Sequence, residues 1–254
     1  MRRWLSRLAL GLAAFLAFAI VTFPASLAHR WFAPDELALT SVRGTIWRGS
    51  AAHGAVSGIP FSDLSWRLNP VSLLTGKVDL IVDELSIGGG SVRAHVTASR
   101  SSTNIRIVDL FMNLQPLTQA LPQLGDIRGQ VSSRELLLEL ANGWPVSAEG
   151  EVRVAGLAVP PLIPINGVDR VLLGNFRAVL SAAEAPVIAT QVVDEGGPIE
   201  LVGMLRLTPE RAYELAAKIR PRAEASNVLV QGIELVSGQP DAEGRRDFRQ
   251  SGTL

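Results

Sequence analysis

The sequence predicts a mainly β protein, with an N-terminal transmembrane helix followed by an elongated, curved antiparallel β-sheet domain that is an open groove or sandwich-like. Two observations predict it. Residues Leu8 to Ala28 form an uncharged stretch of 21 residues directly after Arg2, Arg3 and Arg7. Beyond residue 35 the chain changes to short segments of alternating character, punctuated by Gly, Pro, Asn and Ser in the spacing of strands and turns.

The apolar stretch sets the compartment. At 1.5 Å per helical residue it spans roughly 30 Å, the thickness of a bilayer's hydrocarbon core. Three arginines on its short N-terminal side hold that side in the cytoplasm, so everything after His29 is translocated. A cleaved secretory signal is the alternative, because Ser26, Leu27 and Ala28 make a small-x-small site and Pro24 sits where such a site often begins. Anchoring is preferred because the run from Leu8 to Phe23 exceeds an h-region of about 7 to 15 residues. A buried helix of a soluble protein is disfavoured, since no polar face interrupts the run.

The strands follow in order. Leu39, Val42 and Thr45-Ile46-Trp47 predict one strand, Gly49 and Ser50 a turn, and Ala52 to Val56 a return. Phe61 to Leu68, Lys77 to Ile87 and Ser91 to Ser99 read as further strands, the last two joined across Gly88, Gly89 and Gly90. Arg106 to Leu114 continues the series, and a short helix is expected near 116–124, limited by Pro122. Leu136 to Leu140 meets the hairpin dipeptide Asn142-Gly143, and Val146 to Leu157 returns. Pro160, Pro161 and Pro164 deny ladder donors and mark a seam or long loop near 158–168. Leu172 to Leu180, Val187 to Val193 and Ile199 to Leu207 form another run, with a turn at Gly196, Gly197 and Pro198. Thr208-Pro209-Glu210 is a fair helix start, yet Tyr213, Leu215, Ala217 and Ile219 alternate with polar or small neighbours, which favours a strand. The tail from Gly238 to Leu254 reads as a last hairpin strand or a frayed end. Glycines stand two residues before an aliphatic at Gly44, Gly76, Gly129, Gly150 and Gly203, suggesting successive similar hairpins.

Composition narrows the chemistry. The chain is 47% hydrophobic and 19% charged, apolar enough to fold, and its 24 Lys and Arg balance 24 Asp and Glu. No basic field exists to draw a phosphate backbone, so nucleic acid is not an expected partner. Cysteine is absent, which excludes a disulfide framework, a thiolate metal site and a cysteine nucleophile. Of three histidines, His29 lies at the membrane boundary, leaving His53 and His95. A triad of Ser50, His53 and Asp63 lacks the strained turn that would expose a nucleophile, and no H-E-x-x-H, Walker or G-x-G-x-x-G pattern occurs. No catalytic residue, cofactor or metal site is expected. The adjacent pairs Asp83-Glu84 and Asp194-Glu195 read as solvated edges or turns. Trp47 and Trp66, each followed by arginine, are read as structural packing across neighbouring strands.

The blocks Gly44-Thr45-Ile46-Trp47-Arg48-Gly49-Ser50-Ala51, Leu64-Ser65-Trp66-Arg67-Leu68-Asn69-Pro70 and Leu73-Leu74-Thr75-Gly76 resemble protein N of the bacterial type II secretion system. The positions carrying the resemblance are Gly44, Trp47, Gly49, Trp66, Pro70, Leu74 and Gly76. It implies a cytoplasmic tail at 1–7, an inner-membrane anchor at 8–28 and a periplasmic β-rich domain at 29–254. It also implies an accessory role in exporting folded proteins across the outer membrane, with other secretion subunits and the inner membrane as partners. The glycine-punctuated strands also look like those of AsmA-like envelope proteins, whose curved sheets are associated with lipid handling. A scaffold or assembly factor is therefore the leading reading, and a lipid or lipopolysaccharide-binding module with an apolar groove is the alternative. An envelope hydrolase is disfavoured by the residue inventory.

Overall fold

The computed structural model describes residues 11–12, 15, 18–32, 37–56, 58–115, 118, 126–162 and 167–253. Thirteen strands lie side by side in the order in which the chain makes them. They are β1 (Leu37–Gly44), β2 (Arg48–Val56), β3 (Ile59–Leu68), β4 (Val78–Ile87), β5 (Gly90–Ala98), β6 (Thr103–Asn113) and β7 (Arg128–Ala141). The series continues with β8 (Trp144–Val159), β9 (Val171–Ser181), β10 (Ile188–Asp194), β11 (Ile199–Leu207), β12 (Ala212–Pro221) and β13 (Arg246–Thr253). Helices α1 (Ala25–Phe32), α2 (Pro70–Leu74) and α3 (Asn227–Val236) accompany them. Every neighbouring pair is antiparallel, and β1 and β13 are the two edges of one open sheet. At about 4.8 Å per strand, the ladder runs about 58 Å from edge to edge.

Alternation of residue type gives the sheet two unlike faces. The register sets Leu80, Val96, Ile105, Leu138 and Ala148 in one row across β4 to β8. A second row joins Met112, Val131, Val154 and Phe176 across β6 to β9. On the opposite face Arg93, Asp109, Arg134 and Glu151 stand in line with alternating charge. Opposite charges directly across a strand pair stabilise the ladder by a few tenths of a kcal/mol to about 1 kcal/mol each.

The expected sandwich-like form does not occur. Among the described residues, the linear strand order gives no second sheet to cover the apolar rows. Among the described residues, Ile188 is the only large side chain that is fully buried. Packing concentrates at one end, where Leu229 and Ile233 of α3 meet Val171, Ile199, Ala217 and Ile219 of β9, β11 and β12. Ser226 caps α3 by accepting the Leu229 N–H (3.3 Å).

Other elements depart from expectation in definite ways. The first turn falls at 45–47, not at Gly49 and Ser50, because Gly44 adopts φ +84° and the Thr45 N–H closes onto the Arg48 carbonyl (2.9 Å). Thr45-Ile46-Trp47 is therefore not strand. The tail does return as a strand, β13, but through α3, which the sequence pattern did not announce. Successive hairpins do build the sheet, but the mid-strand glycines are not at their turns. Gly129, Gly150 and Gly203 lie inside strands, and a Cβ on Gly203 would stand 2.6 Å from that of Ala217. The proline-rich connector expected near 158–168 joins two paired strands, with Val159 opposite Val171, so the sheet continues past it. The helix expected over 116–124 lies almost wholly outside the described residues.

Candidate functional site: the junction of the N-terminal segment with the sheet

The uncharged run from Leu8 to Ala28 is not one helix. Helical turns reach Val21, the Thr22 N–H closes on the Phe18 carbonyl (2.9 Å), and Pro24 pairs with Thr45 as an isolated β-bridge. Proline has no N–H for a helix to continue through, and α1 starts afresh at Ala25. Much of the run before residue 18 lies outside the described residues, and no helix among those described is long and apolar enough to cross a membrane. Ala25 and Ala28 of α1 are buried. His29 accepts the Leu39 N–H through Nε2 (3.3 Å), which occupies a donor on the edge strand β1.

The turn after Gly44 ties this segment to three strands. The Ile46 N–H donates to the Phe23 carbonyl (3.0 Å), and the Trp47 indole N–H donates to the Ile20 carbonyl (2.8 Å). The Trp66 indole N–H donates to the Ile46 carbonyl (3.1 Å), and the Leu68 N–H to the Trp47 carbonyl (2.8 Å). Trp66 can approach because its cross-strand partner is Gly49, where a Cβ would stand 2.4 Å from Trp66 Cζ2 and 2.9 Å from the Arg43 carbonyl oxygen. Phe61 uses Gly54 in the same way, at 2.4 Å. Four of the seven motif residues, Gly44, Trp47, Gly49 and Trp66, thus converge on one hydrogen-bonded knot. The two indoles find different partners: Trp66 lies on Gly49, and Trp47 reaches back to Ile20.

The other three motif residues shape the neighbouring loop. Pro70 is the first residue of α2, where a missing N–H is harmless, and Asn69 Oδ1 accepts the Val71 N–H (3.1 Å). Gly76 adopts φ +71° and its N–H closes on the Leu73 carbonyl (3.0 Å). Leu74 is 87% exposed.

Charged side chains on both faces of the sheet are held in pairs, with Asp194 opposite Phe176 on the apolar face. Arg67 bonds to Asp83, and that hydrogen bond holds the Asp83 carboxyl below its usual range against the opposing effect of burial. His95 bonds to Asp79, whose carboxyl is lowered first by this contact. Asp83 is thus paired rather than simply solvated, and Glu195 meets Arg177 (3.3 Å). Asp194 is the most enclosed of the paired carboxylates, with its side chain 9% exposed. Burial pushes its carboxyl up, but the Leu201 N–H (2.8 Å), the Arg222 guanidinium and the Gly196 N–H (3.4 Å) together hold it below its ordinary value. Arg222 also donates to the carbonyls of Gly197 (2.7 Å) and Ile199 (3.1 Å), locking the β10–β11 turn to the end of β12.

Ser50, His53 and Asp63 form no relay: Asp63 takes the Ser62 hydroxyl (2.9 Å), and the register sets His53 against Ser62. No group of three or more His, Cys, Asp or Glu side chains among the described residues could hold a metal ion.

The family model "Type II secretion system (T2SS), protein N" matches residues 35–249, from the approach to β1 through the first half of β13. The chain belongs to the type II secretion system protein N family. It is thereby a component of that secretion machinery and of the cell envelope. It is 25% identical to type II secretion system protein N of Aeromonas hydrophila over 97% of both chains. It is 26% identical to the protein of that name from Vibrio cholerae serotype O1, covering 87% of this chain and 86% of the relative. The Klebsiella pneumoniae protein of the same name is 23% identical, over 97% of this chain and 96% of the relative. No solved structure matches the chain. In this chain the tryptophan knot stands just inside the start of the matched region, where the sheet receives the N-terminal segment.

Proposed function

We propose that this member of the protein N family is an accessory inner-membrane scaffold or assembly factor of the type II machinery. In this reading residues 1–7 are cytoplasmic, the apolar segment that follows is the anchor, and the sheet stands in the periplasm. It acts there through shape and contact in the export of folded proteins across the outer membrane. The observation that carries the reading is the single open layer of thirteen strands, fastened at one edge to the apolar N-terminal segment. A one-layer sheet about 58 Å long presents both faces to neighbours, which suits docking to several subunits at once. The motif residues Gly44, Trp47, Gly49 and Trp66 set the angle of the sheet on its anchor. Mild crosslinking in membranes, followed by pull-down of the full chain, tests this. Recovery of other secretion subunits is the expected result, and recovery of none overturns the role.

A second reading is favoured by one observation. The rows Leu80 to Ala148 and Met112 to Phe176 make a continuous apolar face that is only partly buried. Such a face suits the acyl chains of a lipid or lipopolysaccharide, as in AsmA-like proteins. Native mass spectrometry of the detergent-extracted chain separates the two, since a groove retains lipid and a plain scaffold does not.

A further inference from the structure

We infer that α2 and the loop closing it form a second membrane contact, an apolar ledge resting in the lipid interface beside the N-terminal segment. The inference rests on the proposed placement of that segment in a bilayer. Val71, Leu73 and Leu74 are 65%, 41% and 87% exposed, and no residue of α2 is buried. The loop's polar groups meanwhile turn inward on one another. Asn69 Oδ1 takes the Val71 N–H (3.1 Å), the Ser72 hydroxyl donates to the Asn69 carbonyl (2.7 Å), and the Thr75 hydroxyl donates to the Ser72 carbonyl (2.7 Å). The N–H groups of Thr75 and Lys77 close on the same Ser72 carbonyl, at 3.0 Å and 3.1 Å. Satisfied backbone with apolar side chains outward is the arrangement a lipid interface accepts.

Connectivity identifies lipid as the cover. The Leu68 N–H is bonded to the Trp47 carbonyl, and the Trp47 indole is bonded to the Ile20 carbonyl. Two hydrogen bonds therefore separate the end of β3, two residues before α2, from a helical stretch whose Phe18, Ile20 and Val21 are 67%, 57% and 65% exposed. A bilayer that covers those side chains comes level with Trp47 and α2. Trp47 then stands at the depth where tryptophan concentrates in membrane proteins. Lys77 follows the ledge and Arg48 follows Trp47, both exposed, as cations suited to anionic headgroups.

The chain has no cysteine, so one introduced thiol is a unique label. Full-length Leu74→Cys, Phe15→Cys and Gln250→Cys variants carry an environment-sensitive fluorophore in vesicles of phosphatidylethanolamine and phosphatidylglycerol. A lipid-borne nitroxide and aqueous iodide serve as alternative quenchers. The ledge predicts that the nitroxide dims the labels at positions 74 and 15 by about twofold or more while sparing position 250. Nitroxide quenching at 15 together with iodide quenching at 74 overturns the ledge and leaves the anchor standing. A label at 74 shielded from both quenchers means that a protein covers α2, which also overturns it. Absence of nitroxide quenching at both 15 and 74 removes the anchor reading and the ledge together.

Discussion

Gly49 has no side chain because the space belongs to Trp66, and the size of the conflict sets the cost of filling it. A methyl there meets both an indole carbon and a backbone oxygen inside 3.0 Å, so either the ring or the β1 backbone must move. Gly49→Ala is expected to destabilise the sheet by about 1–3 kcal/mol, the range for overpacking, read from urea unfolding followed by tryptophan fluorescence. Unchanged stability would mean that Trp66 is not seated on this glycine. Asp194 gives a different residue-scale expectation. Its folded carboxyl is held low, chiefly against burial, by the Leu201 N–H and Arg222. A group depressed in the folded state adds stability above its unfolded pKa, and that stability disappears as the pH falls through the folded value. Asp194→Ala should therefore cost about 2 kcal/mol near neutral pH, with the deficit shrinking on acidification below about pH 4. Denaturant midpoints across that pH range check the sign, and a deficit that grows in acid would contradict it.

At the scale of elements, α3 does for one end of the apolar face what no second sheet does for the rest. Leu229 and Ile233 are each 5% exposed and anchor the helix on β9, β11 and β12. Leu229→Ala is expected to cost about 2–5 kcal/mol and to raise amide exchange in α3 and β12 together. Loss confined to α3 would show the helix to be an appendage. The sequence pattern concealed this helix for physical reasons. Val228, Val230, Ile233 and Val236 are β-branched, and Gly232 sits mid-helix, so propensity argued against a fold that packing then imposes. Ser226 as an N-cap, with Leu229 and Ile233 four residues apart, was the available signal. Most strands were legible because period-two alternation survives wherever one face is apolar, as in Ile199–Leu207, whose bounds match the expected ones. The pattern blurs at bulges. Between Val82 and Leu85, and again between Val154 and Leu157, the ladder shifts register, so apolar residues three apart share a face. The tryptophan blocks stood out in the sequence. Their contact with Ile20 and Phe23 did not, because it joins residues distant in the chain through backbone carbonyls that carry no residue identity.

On the scale of the whole molecule, sequential strand order makes the sheet nearly one-dimensional: each strand is bonded only to those before and after it in the chain. Stability in such an array is a sum of local terms and neighbour interfaces, as in repeat proteins, and damage should stay close to where it is made. Ala217, 7% exposed between Gly203 and Phe248, is a place to inflict it. A carboxylate put there without a partner costs several kcal/mol and strikes α3, β11, β12 and β13 at once. Hydrogen exchange of Ala217→Asp in the full chain should show protection lost across β11 to β13 and α3. Amides of β2 to β6, five or more strands away, should exchange at the unsubstituted rate. The tryptophan knot, at the opposite edge, should then keep its fluorescence and the N-terminal segment its attachment. Uniform loss of protection across all thirteen strands would instead mean that the open sheet unfolds as a single cooperative unit, with the two edges coupled through the layer.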